Sequence, residues 1–94
     1  MLKVYAAGWC PHCVKTIEYL DQNNIEFEYV DIEKQSKNIV DKIVDVNGGV
    51  DWVVPTLEFN GQWRAGKAFN EKELAADLKE WRLNSPESRC SVTQ

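Results

Sequence analysis

Within its first 32 residues the chain changes hydrophobic period twice, and few folds accommodate that. Residues 2–6 (Leu2-Lys3-Val4-Tyr5-Ala6) are apolar and β-prone, broken once by Lys3 and bounded by Gly8, which reads as a buried strand. Residues 11–23 carry Val14, Ile17, Tyr19 and Leu20 among polar residues, close to the three-to-four spacing of an amphipathic helix. Pro11 suits the first turn of that helix and Asn23-Asn24 its end. Residues 25–32 alternate, with Ile25, Phe27 and Tyr29 set against Glu26 and Glu28; this predicts a second strand with one solvated edge or face. A strand–helix–strand opening makes the two strands parallel neighbours joined by a right-handed crossover.

The rest of the chain extends this start. Ser36 is placed to cap a second helix in which Ile39, Ile43 and Val46 repeat at helical spacing beside Val40 and Val44, and Asn47-Gly48-Gly49 stops it. Residues 52–59 look strand-like but contain Pro55, which cannot donate to a sheet ladder. Asn60-Gly61 is a two-residue hairpin signal, so residues 56–59 and 62–65 are expected as antiparallel neighbours. Asn70 caps a third helix with Leu74, Leu78 and Trp81 in one stripe and Ala75 allowing close approach. The order β-α-β-α-β-β-α predicts an α/β fold: a mixed four-stranded sheet flanked by helices. Residues 1–84 are expected as one domain and residues 85–94, which open with polar breakers, as a flexible tail.

Size and charge remove several function classes. Ninety-four residues leave no room for a separate cofactor domain. Fifteen acids against eleven bases give net −4 and a pI near 4.9, which argues against nucleic acid or an anionic membrane as partner. No apolar run approaches the ~18–20 residues of a membrane span. Met1-Leu2-Lys3-Val4-Tyr5 has neither the apolar core nor the cleavage site of a signal peptide, so a cytoplasmic protein is expected. The chain has three cysteines, too few for a disulfide framework, and in an intracellular chain a close pair is more often catalytic or metal-binding.

That pair lies in Gly8-Trp9-Cys10-Pro11-His12-Cys13, between a strand and a helix. A helix N-terminus presents unpaired N–H groups and about half a positive charge, which favours a thiolate at Cys10. Cys13, one turn on, points inward within disulfide reach. Pro11 fits the first helical position without losing a needed hydrogen bond, and His12 adds a group able to be cationic near neutral pH. A stabilised thiolate gains in abundance and loses in intrinsic nucleophilicity; its net advantage is as a leaving group when a second thiol attacks its mixed disulfide. This is the chemistry of a reversible dithiol carrier. A zinc site would need four ligands, and only His12 and the distant Cys90 are on hand. A purely structural disulfide at this spacing closes a tiny loop and constrains little. Trp9, beside Gly8 at a strand end, is expected as an exposed apolar rim, and Cys90 as a spectator thiol.

Taken with Asp31-Ile32-Glu33, Val53-Val54-Pro55-Thr56 and the hairpin, these residues resemble the glutaredoxin branch of the thioredoxin superfamily over about residues 1–83. The resemblance implies the thioredoxin fold and a thiol–disulfide oxidoreductase with no bound cofactor, its redox centre being a Cys10–Cys13 disulfide. Cys10 attacks, and Cys13 or an external thiol resolves the intermediate. Pro11, His12 and Pro55 support the site, the bond before Pro55 being cis. Val54 is left to pair through its backbone with an extended substrate, between apolar walls at Trp9 and Trp52. Gly66 and Asn70 match the stretch that holds glutathione or another low-molecular-weight thiol, with Lys67 and Lys42 as candidates for positive charge beside it. Ala7 stands where glutathione-using members usually carry lysine, and Val46-Asn47-Gly48-Gly49 is similar to the mycoredoxin-like bacterial subgroup. The partners implied are disulfide-containing or thiolated proteins and a small thiol, acting on a monomer. Two other readings fit the same residues. One is a redoxin that donates electrons to ribonucleotide reductase and is recharged by a flavoenzyme. The other is a partner-binding or metal-carrying module without turnover.

Overall fold

The structure, a computed structural model, describes residues 1–83. The segment expected as a tail, and Cys90 within it, lies outside the described residues. The elements follow the expected order: β1 (Leu2–Ala6), α1 (Pro11–Gln22), β2 (Phe27–Asp31), a 3-10 turn (Ile32–Lys34), α2 (Lys37–Val46), β3 (Thr56–Phe59), β4 (Gln62–Arg64) and α3 (Glu71–Glu80). They build a four-stranded sheet in the order β2-β1-β3-β4. β1 runs parallel to β2, from Leu2 opposite Phe27 to Ala6 opposite Asp31, and antiparallel to β3, with Tyr5 opposite Thr56. β2 is thus an edge strand, as its alternating acidic residues anticipate.

All three α-helices among the described residues end in the same way. A left-handed residue follows the cap (Asn24 at φ 56°, Gly48 at 104°, Arg82 at 61°). The next N–H then reaches back to the carbonyl five residues earlier: Ile25 to Leu20, Gly49 to Val44 and Leu83 to Leu78, at 2.8–2.9 Å. This double-bonded Schellman closure satisfies the last carbonyls. It also explains why β2 begins two residues later than expected. Ile25 belongs to the end of α1, buried like its partner Leu20. At the other end of β2, Ile32 leaves the strand for the 3-10 turn, which the Asp31 carboxylate caps by accepting from Glu33 N–H at 3.0 Å.

The face that α1 buries also differs from expectation. Cys13, Thr16 and Leu20 point into the core, Ile17 and Tyr19 are half-buried, and Val14 is 46% exposed. A polar residue reaches the core because the Thr16 hydroxyl donates to the His12 carbonyl at 2.8 Å, leaving its methyl to pack. On α2, Ile43 is fully buried while Ile39 is exposed. On α3, Leu74 and Leu78 are buried and Trp81 caps the helix, its ring 6.0 Å from that of Phe59. Each such aliphatic side chain contributes about 1.5–3 kcal/mol on leaving water. The hairpin forms as expected, with Asn60 and Gly61 both at positive φ (52° and 85°), the geometry of a type I′ turn. β4 ends at Arg64, whose buried guanidinium pairs with Asp77 and ties the sheet to α3.

Candidate active site

Where β1 leaves the sheet, Ala7 O accepts from Cys10 N–H at 3.1 Å, and Gly8 and Trp9 are lifted into solvent. Cys10 then becomes the N-cap of α1, in extended backbone (φ −90°, ψ 115°), with Pro11 opening the helix. The Cys10 sulfur does what a capping oxygen does elsewhere: it accepts a hydrogen bond, from Cys13 N–H at 3.3 Å. Both cysteines are free thiols and both are buried, at 5% and 1% exposure, so one edge of Cys10 reaches solvent while Cys13 lies behind it. Burial pushes the Cys13 thiol up from 9.0 to about 12; the hydrogen bond with the Ala7 backbone opposes this, and the hydrogen bond and charge of Cys10 add to it. Cys13 therefore holds its proton throughout the neutral range.

The other wall of the site comes from the segment that leads into β3, the neighbour of β1 in the sheet. Val54 O lies 3.9 Å from Cys10 Sγ, and the Val54–Pro55 bond is cis. The strand-like stretch at 52–59 is accordingly a strand only from Thr56 onward. Pro55 precedes the ladder rather than interrupting it, which removes the conflict. Trp9 is 64% exposed, its indole N–H donating to Glu33 at 3.0 Å, and its ring stands 6.4 Å from that of Trp52. With the part-exposed Val53 they form an apolar rim beside the sulfur.

The remaining expected residues are placed as follows. His12 is exposed, and its Nδ1 accepts from Phe69 N–H at 3.0 Å. This contact ties the loop at 65–70 to the start of α1. Asn70 caps α3, its side-chain oxygen accepting from Glu73 N–H at 3.0 Å. Lys67 Nζ lies 3.9 Å from Glu73. Lys42, another candidate for positive charge, sits over the Trp63 ring at 5.6 Å. Gly66 packs directly on Val53: a Cβ there would lie 2.6 Å from Val53 Cγ1 and 2.7 Å from Val53 O. A surface hollow of about 680 Å³ opens at the start of β1 among Met1, Asp21 and Phe27, a strand's length from the sulfurs.

Two contributors escaped the reading of the sequence. Asn47 looked like a helix stop and Thr56 like the tail of a motif, yet their side chains bond one another at 3.0 Å beneath the Val53 segment. The one signal available was Thr56 itself, a polar residue flanked by Pro55 and Leu57 that ends up fully buried; a buried hydroxyl needs a partner.

Known proteins resemble this chain in sequence and fold. The Glutaredoxin family model matches residues 2–63. A candidate glutaredoxin of Mycobacterium tuberculosis is 34% identical over 58 residues, which cover 62% of this chain and 67% of that protein. A glutaredoxin-like 8.6 kDa protein from the rubredoxin operon of Clostridium pasteurianum is 32% identical over 75 residues, covering 79% of this chain and 92% of the relative. Among solved structures, the glutaredoxin of Archaeoglobus fulgidus superposes with a TM-score of 0.64 at 25% identity, over 80% of this chain and 82% of its own. The matched span includes both cysteines, the Val54–Pro55 bond and all four strands up to Trp63 in β4, so the chain belongs to the glutaredoxin family.

Proposed function

We propose that this glutaredoxin-family chain, a thiol–disulfide oxidoreductase of thioredoxin fold, reduces protein disulfides and mixed disulfides of proteins with small thiols through Cys10 and Cys13. The observation that carries this is the asymmetry of the two sulfurs. One is at the helix tip, edged by solvent and hydrogen-bonded by a backbone N–H; the other is buried behind it and held protonated. In the first step the Cys10 thiolate attacks one sulfur of the substrate disulfide. A Cys10–S–S–R bond forms, the substrate S–S bond breaks, and the other substrate sulfur leaves as a thiol. Forming that bond removes the Cys10 charge, one of the causes holding the Cys13 proton. Cys13 then gives up its proton and attacks Cys10 Sγ, releasing R as a thiol and leaving the Cys10–Cys13 disulfide. Two electrons pass to the substrate in total, and two small-thiol molecules return them.

The backbone of Val54 receives an extended substrate segment as a short added strand, and Trp9 and Trp52 cover its apolar side chains. The cosubstrate is a low-molecular-weight thiol, glutathione or a bacterial counterpart. Ala7, where glutathione-using relatives usually carry lysine, and the engagement of Lys67 by Glu73 favour the counterpart. The site of action is the cytoplasm, where thiols are kept reduced. The test is a Cys13→Ser variant recovered from its native cell extract. Mass spectrometry is expected to find one small-thiol or protein adduct on Cys10, and Cys10→Ser is expected to trap nothing and turn over nothing. A Cys10→Ser variant that still reduces disulfides would overturn the proposal.

A further inference from the structure

The peptide unit between Val53 and Val54 is held from two sides, and both holds run through one side chain. On one side the Thr56 hydroxyl donates to Val53 O at 2.6 Å. On the other, Gly66 lies so close that any Cβ would strike Val53 Cγ1, O and C at 2.6–2.8 Å. The Asn47 carboxamide joins the two holds: its Oδ1 accepts from Gly66 N–H at 2.7 Å, and its Nδ2 donates to Thr56 Oγ1 at 3.0 Å. The second Nδ2 proton goes to Ile43 O at 2.8 Å, on the last turn of α2. Every donor and acceptor in this set therefore has a fixed direction. Thr56 has a single hydroxyl proton, and because Asn47 donates to its oxygen, that proton is free for Val53 O.

We propose that Asn47 is a positioning residue for substrate: through Thr56 and Gly66 it fixes the plane of the 53–54 peptide and so aims the Val54 N–H at the extended chain that approaches Cys10. This rests on the assignment of Val54 as the substrate-pairing residue under the proposed function. The reasoning needs only peptide planarity. A trans peptide places C=O and N–H in one plane on opposite sides, so holding Val53 O also orients Val54 N–H. Asn47 touches neither sulfur; it acts through its two neighbours.

Asn47→Asp tests this at nearly constant shape. The carboxylate keeps an acceptor for Gly66 N–H and loses both donors. Thr56 then turns its only proton toward the carboxylate, and Val53 O is released. Thr56→Val removes the same hold from the other end and serves if the first variant folds poorly. The measurement is single-turnover reduction by the pre-reduced protein, with concentration dependence, of two substrates: a disulfide within a linear peptide and bis(2-hydroxyethyl) disulfide. Both variants are expected to raise the half-saturating peptide concentration about 3- to 10-fold with the limiting rate within about twofold, and to leave the small disulfide within about twofold on both parameters. Equal losses on both substrates, or none on either, overturn the proposal. A second readout is independent of turnover. Hydrogen exchange at the Gly66 amide is expected to quicken about tenfold or more in Asn47→Ala and to stay near wild type in Asn47→Asp, with Val4 and Leu57 unchanged in both. An unmoved Gly66 amide, or acceleration spread across the whole sheet, overturns it too. A wild-type protein that reduces neither disulfide would refute the proposed function instead, and the exchange data would still decide the role of Asn47.

Discussion

Gly66→Ala is a small change with a large expected consequence. The new methyl would sit 2.6 Å from Val53 Cγ1, 2.7 Å from Val53 O and 2.8 Å from Val53 C. Ordinary carbon contacts lie at about 3.5–4.0 Å, so roughly 1 Å of separation has to be found. The side chain can yield by changing rotamer, but the carbonyl carbon and oxygen are backbone atoms, and they move only if the 53–54 peptide or the 65–70 loop moves. Forcing a methyl into a packed site costs about 1–3 kcal/mol. In a domain of this size each kcal/mol lowers Tm by about 4–8 °C, so a fall of roughly 10 °C is expected by calorimetry. The kinetic expectation follows from where the displaced atoms lie. Val54 O is 3.9 Å from Cys10 Sγ, and a misplacement of about 1 Å at a reacting geometry can cost up to ~100-fold. Reduction of a peptide disulfide is therefore expected to slow about 10- to 100-fold, while iodoacetamide alkylation of Cys10 in the reduced variant stays within about threefold. If Tm and turnover both remain at wild-type values, the close packing of Gly66 on Val53 is wrong. If Tm falls and turnover does not, the loop has yielded rather than the peptide, and the Gly66 amide would then show faster exchange.

Two further expectations concern α1. Cys13 is held near 12 in the folded protein against 9.0 when unfolded, so the unfolded chain loses its proton first as pH rises. The associated stability is fully present below pH 9 and is lost between pH 9 and about 12. Three pH units at ~1.4 kcal/mol each set a ceiling of roughly 4 kcal/mol. Urea titrations of wild type and Cys13→Ala over that range should show the wild type losing stability faster, and parallel curves would refute the assignment. The buried face of α1 is tested by truncation. Leu20→Ala is expected to cost about 2–5 kcal/mol, and Val14→Ala, at a 46% exposed position, under about 0.5 kcal/mol; a reversed order in denaturant midpoints would mean that the helix is rotated.

The features legible in the sequence are those closed within a turn or two of chain. Asn60-Gly61 makes its hairpin because both residues accept positive φ. Asn70 caps α3 by reaching three residues ahead, and Pro11 opens α1 because the N–H it lacks would have had no partner in the helix. The pairing of a capping Cys10 with an inward Cys13 is likewise local, one helical turn read off a spacing of three. Only tertiary packing decided that Thr16 rather than Val14 faces the core, since a hydroxyl satisfied by its own helix costs little to bury. It also decided that Ile25 closes α1 instead of starting β2. The other wall of the site comes from contacts that cross 19 residues (Gly66 to Asn47), 44 residues (Cys10 to Val54) and 57 residues (His12 to Phe69). Residue type constrains a neighbour through fixed bond geometry over a few positions. Over tens of positions it does so only once a buried core has brought the segments together, and a single carboxamide such as Asn47 acquires its role at that stage.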